Sequence, residues 1–203
     1  MKAILFLEDG KSFDGQSDLV TECLGEVIIN TAVVGYQEMI TDPANAAKIL
    51  VFTYPLIGNY GCAPKFSESA KVQVAGLVMK EKSQIYSNWQ AKLSLDDFLK
   101  AQKKTAIYNL DTRTLTVHLR EKGPLIGIIS TREFDSKKLL DKIKIFKQQP
   151  VKTLLPELST QKILSLGKTK GKSIAVLDLG ITASLIKQLE AFNCPLKIIP
   201  YNA

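Results

Sequence analysis

Three cysteines and one histidine are the side chains of this 203-residue sequence best suited to nucleophilic or metal chemistry. Cys23, Cys62 and Cys194 lie far apart and odd in number, and no two have the Cys-x-x-Cys spacing of a zinc or redox site. A catalytic thiolate also needs a base within hydrogen-bond reach and a third group that orients the base. Cys23 sits in Thr-Glu-Cys-Leu-Gly, Cys62 follows a turn, and Cys194 precedes Pro195. The single histidine, His118, falls inside an expected helix, where it reads as an ordinary surface or packed residue. No Cys-His-Glu triad is therefore expected, and no catalytic residue or metal ligand is assigned. Residues 167–173, Gly-Lys-Thr-Lys-Gly-Lys-Ser, hint at a phosphate-binding loop. The stretch has three intervening residues where that motif has four, and it precedes a strand instead of following one.

The elements that must position any site follow from local pattern. Ala3 to Leu7 and Ser12 to Gly15 flank the turn Glu8-Asp9-Gly10 and read as a hairpin. Strands are expected over residues 25–31, 49–54, 72–79, 105–108 and 126–129. Ser94, followed by Asp96 and Asp97, opens a helix: its hydroxyl suits an N-cap, and the acids complement the positive helix end. Asp111-Thr112-Arg113 opens a second helix that runs to about Arg120 and ends at Gly123-Pro124. Residues 136–147 place Leu139, Leu140, Ile143 and Phe146 on one side of a third. A fresh unit then begins, with strand 173–180, helix 182–192 and strand 195–200, the opening of a parallel α/β sheet. Alone, such a unit leaves sheet edges and apolar faces uncovered.

Composition sets the class. Apolar residues make up 45% and charged residues 23%, as in a soluble globular protein. No apolar run approaches the roughly 20 residues of a membrane span, and Glu8-Asp9-Gly10 ends the first apolar run too early for a signal peptide. A cytoplasmic protein without a membrane partner is expected. The net charge of +7 is carried by one segment: between Lys137 and Lys172, ten lysines face only Asp141 and Glu157. That segment has no arginine cluster and one aromatic, Phe146, so it reads as a solvated helix face and linker and not as a nucleic-acid surface. Pro150, Pro156, Gly167 and Gly171 punctuate it. The expected organisation is residues 1–147 as a first domain, 148–172 as a lysine-rich linker, and 173–203 as the start of a second domain.

The densest motifs lie between Gly25 and Gly61. They are Gly35-Tyr36-Gln37-Glu38, Thr41-Asp42-Pro43, and Thr53-Tyr54-Pro55 followed by Gly58-Asn59-Tyr60-Gly61. Thr41-Asp42-Pro43 is turn chemistry, since Asp bonds its own backbone and Pro presets φ. Gly58 to Gly61 is a second turn, with residues that tolerate positive φ. Asp111-Thr112-Arg113, Arg120 and Gly123 continue the series. Together these segments resemble the N-terminal domain of the small, glutamine-using subunit of carbamoyl-phosphate synthetase, strongly over about residues 3–132 and weakly over 173–200.

That resemblance implies an α/β protein: a three-layer β/β/α N-terminal domain followed by an incomplete β-α-β unit of a class I amidotransferase domain. It implies docking on the large synthetase subunit, which would hold ATP and magnesium; no cofactor is expected in this chain. In the family a cysteine elbow with His and Glu releases ammonia from glutamine, for carbamoyl phosphate used in pyrimidine and arginine synthesis. This sequence departs from the pattern on the glutamine side. It has no Gly-x-Cys-x-Gly. Ala44 stands where the family carries a glutamine-holding serine, and an alanine has no hydroxyl to offer. After Asp178-Leu-Gly180 it has Thr182 and Ser184 where the family has Lys and Asn. The expectation is a small subunit, or a truncated one, without glutaminase machinery, with a separately encoded glutaminase half as a possible partner. The competing expectation is a catalytically inert relative used as a protein-interaction module.

Overall fold

The computed structural model describes residues 1–150, 153–167 and 171–203. Lys168, Thr169 and Lys170 of the phosphate-loop-like stretch lie outside the described residues, as do Val151 and Lys152 of the lysine-rich segment. In chain order the elements are β1 (Lys2–Leu7), β2 (Ser12–Gln16), β3 (Glu22–Asn30), α1 (Tyr36–Thr41), β4 (Ile49–Phe52), β5 (Leu56–Ile57), β6 (Gly76–Val78) and β7 (Glu81–Lys82). There follow α2 (Leu95–Ala101), β8 (Thr105–Ile107), α3 (Thr112–Lys122), β9 (Leu125–Ser130), α4 (Ser136–Gln148) and α5 (Leu155–Leu158). The chain closes with β10 (Leu164–Leu166), β11 (Ile174–Asp178), α6 (Ala183–Glu190) and β12 (Leu196–Pro200).

A seven-stranded mixed sheet, ordered β2-β1-β9-β3-β4-β6-β8, organises the first 130 residues. The hairpin β1–β2 pairs antiparallel, with Leu5 opposite Phe13, as the turn residues predict. From β3 to β8 the pairs are parallel. Strand alternation divides the core between the two faces. Leu5, Leu7, Val27, Ile49 and Val51 pack with Leu115 and Leu119 of α3. Leu50, Phe52 and Leu77, on the opposite face, pack with Tyr36 and Ile40 of α1 and with Leu95 and Leu99 of α2. Ile4, Phe6 and Ile128 receive Leu139 and Ile143 of α4. The class is mixed α/β with a large, mostly sheet domain, as expected.

Helix signals translate closely. Ser94 Oγ accepts from Asp97 N, and the Asp111 carboxylate accepts from Thr114 N, so both expected N-caps are formed. The expected strand 72–79 is shorter, only Gly76–Val78. Its first residues bond outside the sheet: Gln73 N donates to Ile40 O at the end of α1 and Ala75 N to Lys48 O of the loop before β4. The segment expected as linker carries α5 and β10, and β10 pairs antiparallel with β12. The β11-α6-β12 unit forms as read, its strands parallel, with β11 at the sheet edge. Leu177 and Leu179 on that edge are more than half exposed.

Candidate functional site

The motif residues fall into two groups, one packed around α1 and one carried by α3, and Pro55 of the first lines a groove with Arg113 and Arg120 of the second. Gly35 to Ala44 form α1 and the 3-10 turn after it, beside the loop that carries Tyr54, Pro55, Gly58, Asn59 and Gly61. Asp111, Arg113 and Arg120 belong to α3 and its cap.

In the first group the two motifs hold each other. Helix α1 begins at Gly35, whose φ of 88° suits glycine, and it has no side-chain N-cap of its own. The Tyr60 hydroxyl takes that role from a distance, accepting from Gly35 N at 2.7 Å and Tyr36 N at 3.0 Å. The Tyr36 and Tyr60 rings stack with centroids 4.1 Å apart, and the Tyr36 hydroxyl donates to Gly61 O. Gln37 Nε2 donates to Ala63 O and Ser67 Oγ, while its Oε1 accepts from Ala63 N. Gly58 and Gly61 both have positive φ, and Gly61 N donates to Gly58 O, so the expected tight turn is formed. Pro55 O accepts from Glu81 N and Asn59 O from Ser87 N, which anchors the loop to the following segment. Tyr54 packs against the α1–α2 core. These side chains maintain a scaffold.

Glu38 differs. Its Oε2 is buried and has no hydrogen-bond partner among the described residues. Burial, reinforced by the nearby Glu68 carboxylate, pushes its pKa up.

The Asp42 carboxylate accepts from Ala44 N, capping the 3-10 turn, and Ala44 itself is exposed. This turn meets the second unit. A Cβ at Gly180 would lie 2.9 Å from Pro43 Cβ, and Gly180 has φ 110°, so only glycine fits at the contact. Glu68 spans the seam: its N donates to Thr41 Oγ1, its O accepts from Ala183 N, and its Oε2 accepts from Ser184 N at 2.9 Å. A carboxylate here also complements the positive end of α6. The seam thus brings Thr41 and Pro43 together with Gly180, Ala183 and Ser184. Asp178 is buried, and its carboxylate accepts from Thr160 N, Gly180 N and Ile181 N, which fixes the turn. Next to the seam lies a largely apolar cavity of about 750 Å³, reached by Cys62, Phe98, Leu158, Asp178 and Ile186.

A family model described as carbamoyl-phosphate synthase small chain, CPSase domain, matches residues 5–129. The chain belongs to the carbamoyl-phosphate synthase small chain family. The small chain of Listeria monocytogenes is 38% identical over 202 residues, 99% of this chain and 55% of that protein. The Aquifex aeolicus small chain is 38% identical over 212 residues, 98% of this chain and 57% of the relative. That of Maridesulfovibrio salexigens reaches 49% over 145 residues, which are 71% of this chain and 39% of the relative. The chain spans about half the length of the first two of these curated relatives.

Within this small-chain scaffold two of the three thiols are shifted away from attack. Burial pushes the Cys62 thiol up to about 12, with Glu38 adding to the shift, and burial pushes Cys23 up to about 11. A nucleophilic cysteine is shifted the other way. His118 Nε2 lies 2.6 Å from Asp9 Oδ2, joining α3 to the first hairpin. Among the described residues no helix is long and apolar enough to cross a membrane, and no three His, Cys, Asp or Glu side chains gather as metal ligands would.

Sequence reasoning assigned no helix to residues 36–41, because Gly35 lacks a cap signal and the cap arrives from Tyr60. It also passed over Glu68, which lies in no motif and gains its role only through contact with α6.

Proposed function

We propose that this chain acts as the docking scaffold of a glutamine-dependent carbamoyl-phosphate synthetase and contributes no glutaminase chemistry of its own. One observation carries this reading. The scaffold motifs are mutually bonded, while Ala44, next to the seam residue Pro43, is exposed and has no hydroxyl, and the Cys62 thiol of the neighbouring cavity is pushed up by burial. Ammonia release from glutamine would require a thiolate, a histidine and a glutamate in sequence. In this proposal residues outside these 203 supply them, and the large subunit supplies the ATP and magnesium chemistry. The carbamoyl phosphate would serve pyrimidine and arginine synthesis in the cytoplasm.

The test is co-purification with the large synthetase subunit of the same organism. A stable complex at micromolar concentration is expected, with carbamoyl phosphate made from ammonia and not from glutamine. Absence of a complex would overturn the reading and leave an inert interaction module with another partner. Glutamine-dependent synthesis after adding a glutaminase half would keep the docking role and overturn the claim that the glutamine side has lapsed.

A further inference from the structure

Of the 27 basic side chains in the sequence only three are arginine, and Arg113 and Arg120 stand on one helix, α3. Seven residues at 1.5 Å each separate them by about 10.5 Å, and at 3.6 residues per turn they share a face. Val117, four residues after Arg113, lies between them and is half exposed. These three line a cavity of about 510 Å³ with Lys80, Thr53 and Thr116. Thr53 follows β4 and Lys80 follows β6, so the groove opens outside the carboxyl ends of parallel strands, where α/β sheets place their binding crevices.

Lys80 is drawn toward the Asp111 carboxylate, but among the described residues the two arginines of this groove carry no close partner charge. Among the described residues Lys80, Arg113 and Arg120 form no ion pair and no side-chain hydrogen bond, whereas Lys82, Lys142 and Lys147 each sit on a carboxylate. The one acid lining the groove, Asp111, is occupied by Thr114, whose N and Oγ1 both donate to it. Elsewhere lysine provides the solvating charge. Arginine differs by its planar fork, which fits a carboxylate through two parallel N–H bonds. An exposed valine between two arginines adds the apolar contact of a protein interface. Nucleic acid is a poorer fit, because no aromatic side chain lines the groove for stacking.

We propose that this groove receives an acidic segment of the large synthetase subunit, with two carboxylates about 10 Å apart on Arg113 and Arg120. The inference rests on the proposed docking function and assigns it a face, the α3 side of the sheet. The test is binding of the purified large subunit to four forms of the full chain: wild type, R113E/R120E, R113K/R120K, and K137E/K187E as a control of equal charge change. All the substituted side chains are exposed, and unchanged melting temperatures verify folding. Charge reversal in the groove is expected to weaken binding at least about thirtyfold, the lysine pair by an intermediate factor, and the control by less than about twofold. Added salt should weaken the wild-type complex more than that of the reversed variant. Binding of R113E/R120E within about threefold of wild type would overturn the groove and leave the docking function standing. A wild-type chain that binds no large subunit would overturn both.

Discussion

Replacing Tyr60 with phenylalanine removes one oxygen atom from the join between the two central motifs. The ring remains, so its stacking on Tyr36 at 4.1 Å is retained. What is lost is the acceptor for two backbone donors, Gly35 N at 2.7 Å and Tyr36 N at 3.0 Å, at the start of a helix with no other side-chain cap. An unsatisfied buried donor costs roughly 1–3 kcal/mol, and loss of an N-cap roughly 0.5–2 kcal/mol. Gly35 and Tyr60 are only half buried, so water recovers part of the loss, and a net destabilisation of about 2 kcal/mol is expected. For a chain of this size that corresponds to a fall in Tm of about 4–8 °C. Urea unfolding gives the free energy, and amide hydrogen exchange gives its location, with faster exchange from Met39 to Thr41 than in β1 or β9. A loss below about 0.5 kcal/mol, with α1 amides still protected, would refute the view that Tyr60 caps this helix.

The Glu38 carboxyl has a raised pKa in the folded chain, mainly through burial, so the protonated form is favoured by folding. Its stabilising contribution is present below the ordinary carboxylate range and is lost as pH rises through the raised value. Unfolding titrations should therefore show wild type gaining stability on Glu38→Gln as pH falls from 7 toward the acid range; parallel profiles would count against it. Alkylation with iodoacetamide at pH 8 should label Cys194 before Cys23 and Cys62, whose thiols burial pushes up to about 11 and 12, as peptide mapping over time would show. Equal rates at all three would contradict their burial. Gly180→Ala adds a methyl 2.9 Å from Pro43 Cβ at a φ of 110°, a strain of about 1–3 kcal/mol. Exchange at the Ala183 and Ser184 amides, both bonded to Glu68, should then quicken while that of the seven-stranded sheet is unchanged. A uniform change, or none, would argue against a local seam.

Local rules were legible wherever neighbouring residues decide the outcome. Ser94 and Asp111 cap the helices they precede, the Gly58–Gly61 turn forms, and the β1–β2 hairpin and the late β-α-β unit appear where pattern placed them. The strand from 72 failed in its first half because those amides bond to Ile40 and Lys48, distant in sequence. Helix α1 was missed for the same reason, its cap lying some 25 residues away.

The candidate site divides along the same line. The sequence by itself determined membership of a family, the absence of a Gly-x-Cys-x-Gly elbow from these 203 residues, and an alanine without a hydroxyl at position 44, since each depends on residue identity and order. Only the tertiary structure decided that Pro43 and Gly180 share a seam, that Glu68 fastens it, and that the α3 core of Leu115 and Leu119 lies across the sheet from the core of α1 and α2. The physical reason is that burial, opposing faces and bonds between distant segments arise from packing. A thiol pushed up to about 12 and an arginine left without a carboxylate depend on which surfaces meet, and sequence spacing does not encode that.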